Sequence, residues 1–325
     1  MEPAPLPLVL FAALLLALAV DWRFGEPPAW LHPVVWIGGY LGRVGQYIAP
    51  PANAKPQKWR PFVLGALFWC AGAAVVAVYA AVLQKHVLQL PAAVAVLLLG
   101  LLLKPLLAWR MLHGEALAVE AALGQSLGAG RKRLALLVSR DTAQLSDEQV
   151  REAAIESLAE NLNDSVVAPV FWFVLLGLPG AALYRFANTA DAMWGYRGVR
   201  NGQQWEWAGK WAARADDAMS WLPARITAVL LAMVAGGLPL MRLLRDAGKT
   251  PSPNSGWPMA AMALALGICL GKPGVYVLNT AGRVPEAADT ARALHLAARA
   301  VLLMTVCAGM AWAALWSGGR LEGTQ

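Results

Sequence analysis

The 325-residue chain is 58% hydrophobic and only 14% charged, with a mean hydropathy of +0.49. A soluble domain usually carries about 25% charged residues, so composition excludes an ordinary soluble protein and indicates a membrane one. The net charge of +7 suits anionic headgroups or phosphorylated ligands. The basic residues are scattered rather than striped, which excludes nucleic acid as a partner. Cys70, Cys269 and Cys307 lie in apolar runs without a CxxC spacing and read as small core residues in a reducing setting.

In chain order, residues 6–20 form an uncharged run without a basic n-region or a convincing cleavage site. They predict a first membrane helix, extended toward Met1 and Trp22, rather than a signal peptide. Asp21 to Pro28 and His32-Pro33 predict a structured loop, because prolines and glycines punctuate it. Residues 62–83 are long enough to cross ~30 Å of hydrocarbon. Residues 87–103 make a second run, and the Gln84-Lys85-His86 link predicts an antiparallel hairpin. Lys104, at the end of that run, is expected to snorkel to the interface rather than to be a buried ion.

Residues 110–163 are rich in Arg and Lys and are expected on the cytoplasmic side, with residues 21–60 beside them and the N-terminus outward. The run 166–184 is interrupted by Pro169, Gly177, Pro179 and Gly180. It predicts a broken, re-entrant segment, tolerated where irregular backbone is buried in protein. The runs 226–241, 257–271 and 300–319 complete the set, and tryptophans at run boundaries fit interfacial belts. The expected fold class is an all-α, polytopic integral membrane protein. It reads as one domain, with a polar active site between membrane segments and the catalytic segment at about 139–225.

Ser146 followed by Gln149 reads as a capping box, so a helix is predicted from Asp147. On it Glu152, Glu156, Glu160 and Asp164 recur every four residues and share a face. Four carboxylates so placed repel one another, at a few tenths of a kcal/mol per pair. A cation or an arginine cluster would turn that cost into a site. Further polar clusters follow at Asn188-Thr189-Ala190-Asp191, continuing to Arg197, at Arg214 to Asp217 with Arg225, and at Ser252 to Pro258. Singly, each has a structural explanation as a solvated face, a cap or a local ion pair. Together, Glu156, Glu160, Asp164, Asp191, Asp216 and Asp217 offer oxygen ligands without His or Cys companions, which suits Mg²⁺ rather than zinc. Arg140, Arg197, Arg214 and Arg225 add equipment for phosphate groups. Gly267 to Lys272 is too short for a Walker A loop, and HExxH does not occur. Of the histidines, only His32 is set apart, by its loop.

Several motifs, in order, carry a family resemblance. They are Asp21…Gly25-Glu26-Pro27…His32-Pro33, Ser139-Arg140-Asp141-Thr142, Glu156-Ser157-x-x-Glu160-Asn161-x-x-Asp164, Asn188-Thr189-x-Asp191-x-Met193-x-Gly195-Tyr196, Asp216-Asp217…Pro223-Ala224-Arg225 and Ser252 to Pro258. Nearly the whole chain thereby resembles the adenosylcobinamide-phosphate synthase family of cobalamin biosynthesis. The resemblance implies an inner-membrane enzyme, its active site facing the cytoplasm. It would join adenosylcobyric acid to (R)-1-aminopropan-2-yl phosphate as an amide, with ATP as cosubstrate and Mg²⁺.

Under that resemblance Glu156, Glu160 and Asp164 are metal candidates, and Asp191, Asp216, Asp217 and Arg225 are catalytic candidates. Arg140, Asn161, Asn188, Arg197 and Asn254 are candidates for substrate binding. Glu152 falls outside the motif and is expected to tolerate substitution. Met259, and Gly271-Lys272-Pro273, depart from the family pattern, so the fourth motif is assigned no chemistry of its own. Implied partners are the corrinoid, aminopropanol phosphate, nucleotide and the bilayer, together with a second copy of the chain or other membrane-bound cobalamin-assembly enzymes. A transporter and a regulatory membrane protein of the related β-lactamase-regulation branch are the alternatives. Against a transporter stands the expectation that the acids lie between the membrane runs rather than in them.

Overall fold

A computed structural model describes residues 5–55 and 57–322. The protein is helical almost throughout, and five of its described helices are long and apolar enough to cross a bilayer. They are Leu6–Phe24, Trp59–Val87, Ala92–Gln125, Lys210–Val234 and Ala287–Ala314. The chain is thus an all-α polytopic membrane protein, as its composition predicts. Two short antiparallel ribbons are added to the helices: β1 (Val199–Arg200) with β2 (Gln203–Gln204), and β3 (Leu270–Lys272) with β4 (Tyr276–Leu278). Where the sequence suggests one domain, the contacts group into two compact units. The first comprises Met1–Leu107, Ala168–Met219 and Gly309–Gln325, and the second Ala108–Val167 and Ser220–Ala308.

The first unit is built on α1 (Leu6–Phe24), α2 (Pro33–Ile48), α3 (Trp59–Val87), α4 (Ala92–Leu103), α8 (Ala168–Leu176) and α9 (Leu178–Trp194). The expected extension of α1 toward Met1 lies outside the described residues. Leu10, Ala13, Leu14, Ala17 and Asp21 are spaced as one helical stripe and are buried, as are Ala95, Leu99 and Leu103 of α4, the helix that α1 packs against. Helix α3 buries its small residues Gly65, Gly72, Ala73 and Ala80, while Val63, Leu67, Val75 and Val78 point outward. Small residues inside and large apolar ones outside characterise a lipid-facing helix, because tight backbone approach replaces a hydrophobic driving force. A Cβ at Gly72 would collide with Phe186 and Tyr40, so glycine is what admits the neighbouring helices here.

Helix α3 continues through the expected Gln84-Lys85-His86 link, since no breaker occurs there before Pro91, and the chain turns at residues 88–91. Gln84 Oε1 instead accepts the N–H of Leu178 (2.7 Å) at the start of α9. The segment 166–184 is broken as predicted: α8 ends at Gly177, whose φ of +70° suits glycine, and α9 packs back on α8. Around α9 an aromatic core of Trp69, Phe186, Trp194 and Trp205 forms.

Lys104 does not snorkel. It is only 4% exposed and pairs with Asp21 (3.2 Å) and Glu26 (2.9 Å). The rarer reading of this lysine, a buried ion, is the one observed.

The second unit contains α5 (Trp109–Gln125), α6 (Leu127–Leu134), α7 (Asp147–Leu162), α11 (Leu240–Ala247), α12 (Gly256–Leu266) and the β3–β4 ribbon. Val119, Leu134, Leu145, Val150, Ala153 and Ala154 make its local core. Arg151 forks onto Glu120 (2.9 and 3.0 Å), which Thr290 also reaches at 2.7 Å. The apolar run 226–241 is divided: α10 (Lys210–Val234) ends before Gly236-Gly237, and Leu240 opens α11. Asp216 and Asp217 therefore lie on a helix long and apolar enough to span. The expectation that the acids avoid such helices fails at α10.

Candidate active site

The site in the second unit starts from the predicted cap. Ser146 Oγ accepts the N–H of Gln149 (3.3 Å) and Gln149 Oε1 accepts that of Ser146 (3.0 Å), so α7 begins at Asp147. The four-residue spacing then carries the acidic row along one face, and that face meets the β3–β4 ribbon and Arg140. Arg140 Nη2 donates to Glu156 Oε2 at 3.3 Å. Glu156 is 5% exposed, yet its Oε1 has no hydrogen-bond partner, and neither do Nε and Nη1 of Arg140. Leaving such groups unsatisfied costs about 1–3 kcal/mol each. A buried carboxylate and two buried donors thus lie side by side, with the Tyr276 hydroxyl hydrogen-bonded to the same carboxylate.

Electrostatics on this face are displaced from ordinary values. Burial raises the Glu156 carboxyl, opposed by Arg140. Burial, then the neighbouring Glu156 charge, raises Glu152 to about 7, against a bond from the Gly271 N–H. Tyr276 lies beside Glu156 and Glu160, and burial followed by these carboxylates raises its hydroxyl. Burial, with Glu152 and Glu156 behind it, also raises the Cys269 thiol. Glu152, read as a bystander from the sequence, shares the electrostatic environment of Glu156 and Arg140. Its place one turn before Glu156 was the available signal. The ribbon carrying Gly271, Lys272 and Tyr276 was missed as well, although Pro273-Gly274 between Leu270 and Tyr276 is a hairpin cue.

Beyond Glu160 the helix widens into a π turn, Asn163–Val167, a distortion frequent at functional sites. Buried Asn163 donates to Asp164 Oδ1 (2.7 Å) and accepts from Thr227 of α10 (3.1 Å), which fixes the Asp164 carboxylate. Asn161 turns back onto Ser157, donating to its carbonyl at 2.9 Å. Among the described residues, no three His, Cys, Asp or Glu side chains converge as a metal cage. The trio Glu156, Glu160 and Asp164 is thus not assembled by protein groups alone, and Glu156 turns to Arg140. The donor set still fits Mg²⁺, which characteristically takes one or two carboxylates and completes its octahedron with water and substrate phosphate. Glu160 and Asp164 are the residues that would supply them.

Arg225 and Asn254 are brought together. Arg225 Nη1 donates to Asn254 Oδ1 (3.1 Å) and to the Trp221 carbonyl (2.6 Å), with its guanidinium stacked between Trp221 and Trp257. Its planar fork organises the Ser252–Trp257 loop, a job for arginine rather than lysine. Met259 is buried on α12 near the Tyr276 hydroxyl (3.8 Å), so the residue departing from the family pattern serves packing.

In the first unit, Asn188 donates to Asp216 Oδ1 at 3.5 Å, and Arg197 lies within electrostatic reach of Asp217. Asp191 sits a turn before Gly195, where a Cβ would strike its carboxylate. His32, set apart by its loop, has a structural partner: its Nε2 meets Glu26 Oε2 at 3.0 Å.

A family model for CobD/Cbib protein matches residues 14–315. A protein of Methanothermobacter thermautotrophicus named "Probable cobalamin biosynthesis protein CobD" is 42% identical over 283 residues, covering 82% of this chain and 86% of that one. The protein of the same name from Thermococcus kodakarensis is 42% identical over 282 residues, covering 87% and 89%. "Cobalamin biosynthesis protein CobD" of Rhodobacter capsulatus is 38% identical over 324 residues, covering 94% and 99%. No solved structure matches the chain significantly. With the motifs in order and a match over most of its length, the chain belongs to the CobD/Cbib protein family.

Proposed function

We propose that this membrane protein is an enzyme of cobalamin biosynthesis, forming the amide between adenosylcobyric acid and (R)-1-aminopropan-2-yl phosphate with ATP and Mg²⁺. The observation that carries the reading is the buried Arg140–Glu156 pair with its unpartnered donors and acceptor. Such a pair is equipped to receive an anionic oxygen and a donor together.

A carboxylate and an amine do not condense in water unaided. ATP would phosphorylate the propionate, the amine would attack the acyl phosphate, and inorganic phosphate would leave as the C–N bond forms. Arg140 Nε and Nη1 would bind the propionate or phosphoryl oxygens and stabilise the charge that develops on them. Glu152, titrating near 7, would accept the proton that the ammonium loses before attack. Tyr276 and Glu156 would orient these groups by packing along the α7 face. When bound, Mg²⁺ would be held by Glu160 and Asp164 and would neutralise phosphate charge.

The test is mass spectrometry of purified protein in detergent with cobyric acid, ATP, Mg²⁺ and aminopropanol phosphate. The expected product is the amide, formed with stoichiometric ATP cleavage. Glu160→Gln and Asp164→Asn should each lower turnover at least 100-fold and raise the Mg²⁺ concentration needed for any residual activity. Amide formation without nucleotide, or full activity in both variants, would overturn the proposal. Detergent removes any gradient, so turnover there also excludes transport as the primary activity.

A further inference from the structure

The Asp21-to-His32 loop and Lys104 play no part in the chemistry above. Together they form the polar wall of a second site. Within the first unit lies a cavity of about 1120 Å³, somewhat above the usual range for small-molecule pockets (about 300–1,000 Å³). Its lining is overwhelmingly apolar and comes mainly from α3, which carries a candidate span, and from α2 and the loop at 25–31, with fewer residues from α1, α4 and α9. Val75 and Tyr79 of α3 line it and are also 68% and 64% exposed on the outer face, so the cavity opens on the surface that meets lipid.

At its polar wall, Glu26 Oε2 receives Lys104 (2.9 Å) and His32 Nε2 (3.0 Å). The Val34 N–H donates to His32 Nδ1 (3.3 Å), so the ring proton sits on Nε2 and points at Glu26. The other oxygen, Oε1, is buried and has no hydrogen-bond partner. Cavity and carboxylate together suit an occupant with a long apolar body and a hydrogen-bond donor at one end. A charged donor satisfies a carboxylate best.

We propose that this cavity binds a bilayer phospholipid bearing a primary ammonium, an ethanolamine phospholipid, with an acyl chain along α3 and α2 and its ammonium on Glu26. The corrinoid is the less suitable occupant, because its ring of amides would meet aliphatic and aromatic walls and lose its hydrogen bonds.

The experiment uses the full chain in nanodiscs with ethanolamine, choline or glycerol phospholipids carrying a diazirine on the acyl chain. Crosslinked peptides are mapped after irradiation. Label is expected on the peptides containing Val76 and Ala182, at least fivefold stronger from the ethanolamine lipid than from the choline lipid, whose quaternary head has no N–H. Glu26→Gln, which preserves side-chain shape, should remove that preference, and Val76→Trp should remove the label by filling the cavity. The wild-type lipid series decides the matter even if the tryptophan variant fails to fold. Label confined to outward-facing residues, equal label from all three headgroups, or displacement by cobyric acid would each overturn the proposal.

Discussion

Glu152→Gln offers a test of the acidic face that does not depend on knowing the substrate. In the folded protein the Glu152 carboxyl stands at about 7 against an ordinary value of 4.5. Between these values the folded state holds a proton that the unfolded state has released, so stability must fall as pH rises through the window. At full burial the displacement would correspond to about 3 kcal/mol. Glu152 is only half-buried, and solvent screening reduces this to about 1 kcal/mol. Glutamine carries no charge at any pH and escapes the penalty. The variant should therefore be more stable than wild type by about 1 kcal/mol at pH 8, or about 2 °C in melting temperature. The gap should close toward pH 4.5. Turnover at neutral pH should nevertheless drop, because glutamine cannot take a proton. Melting curves in detergent from pH 4.5 to 8, beside turnover at pH 7.5, read both effects. A pH-independent gap, or a variant less stable than wild type at pH 8, would refute the placement of Glu152 against Glu156 and the ribbon.

Lys104→Met should destabilise the first unit by about 3–5 kcal/mol, because it strands buried carboxylates. Adding Glu26→Gln should recover part of the loss in thermal denaturation. Arg225→Lys keeps the charge but loses the fork on Asn254 and the stacking between two indoles, so about 1–2 kcal/mol of stability should go. Faster hydrogen exchange across residues 252–257 should accompany that loss, and unchanged exchange would mean the loop is held by other means.

The helices were legible because their signals are local. The Ser146–Gln149 cap, the uncharged stretches and the glycine and proline breaks at 177–180 each act within a few residues. The β3–β4 ribbon was not, since three-residue strands gain their stability from packing on α7 rather than from their own sequence. For the same reason the acidic row was visible as a pattern while the roles of its members were not. Spacing places Glu152 and Glu156 on one face, but burial and the approach of Arg140 separate a carboxyl titrating near 7 from one locked in an ion pair.

Lys104 shows why such assignments turn on register. At the end of an apolar run, a lysine has the same sequence signature whether it reaches for the interface or inward. What decides is the packing of α1 on α4. Asp21 lies one turn beyond Ala17 on the buried stripe of α1, and Lys104 directly follows buried Leu103 of α4. When the two stripes meet, the charges at their ends come to 3.2 Å, and the positive φ of Gly25 turns the chain so that Glu26 joins them. A shift of α1 by one residue would swing Asp21 about 100° around the helix and leave Lys104 facing hydrocarbon. The ion cluster thereby penalises misregistered packing of two otherwise featureless apolar helices, whose small-residue contacts alone specify register weakly. That selective role explains a buried charge in a membrane helix pair better than any net contribution to stability.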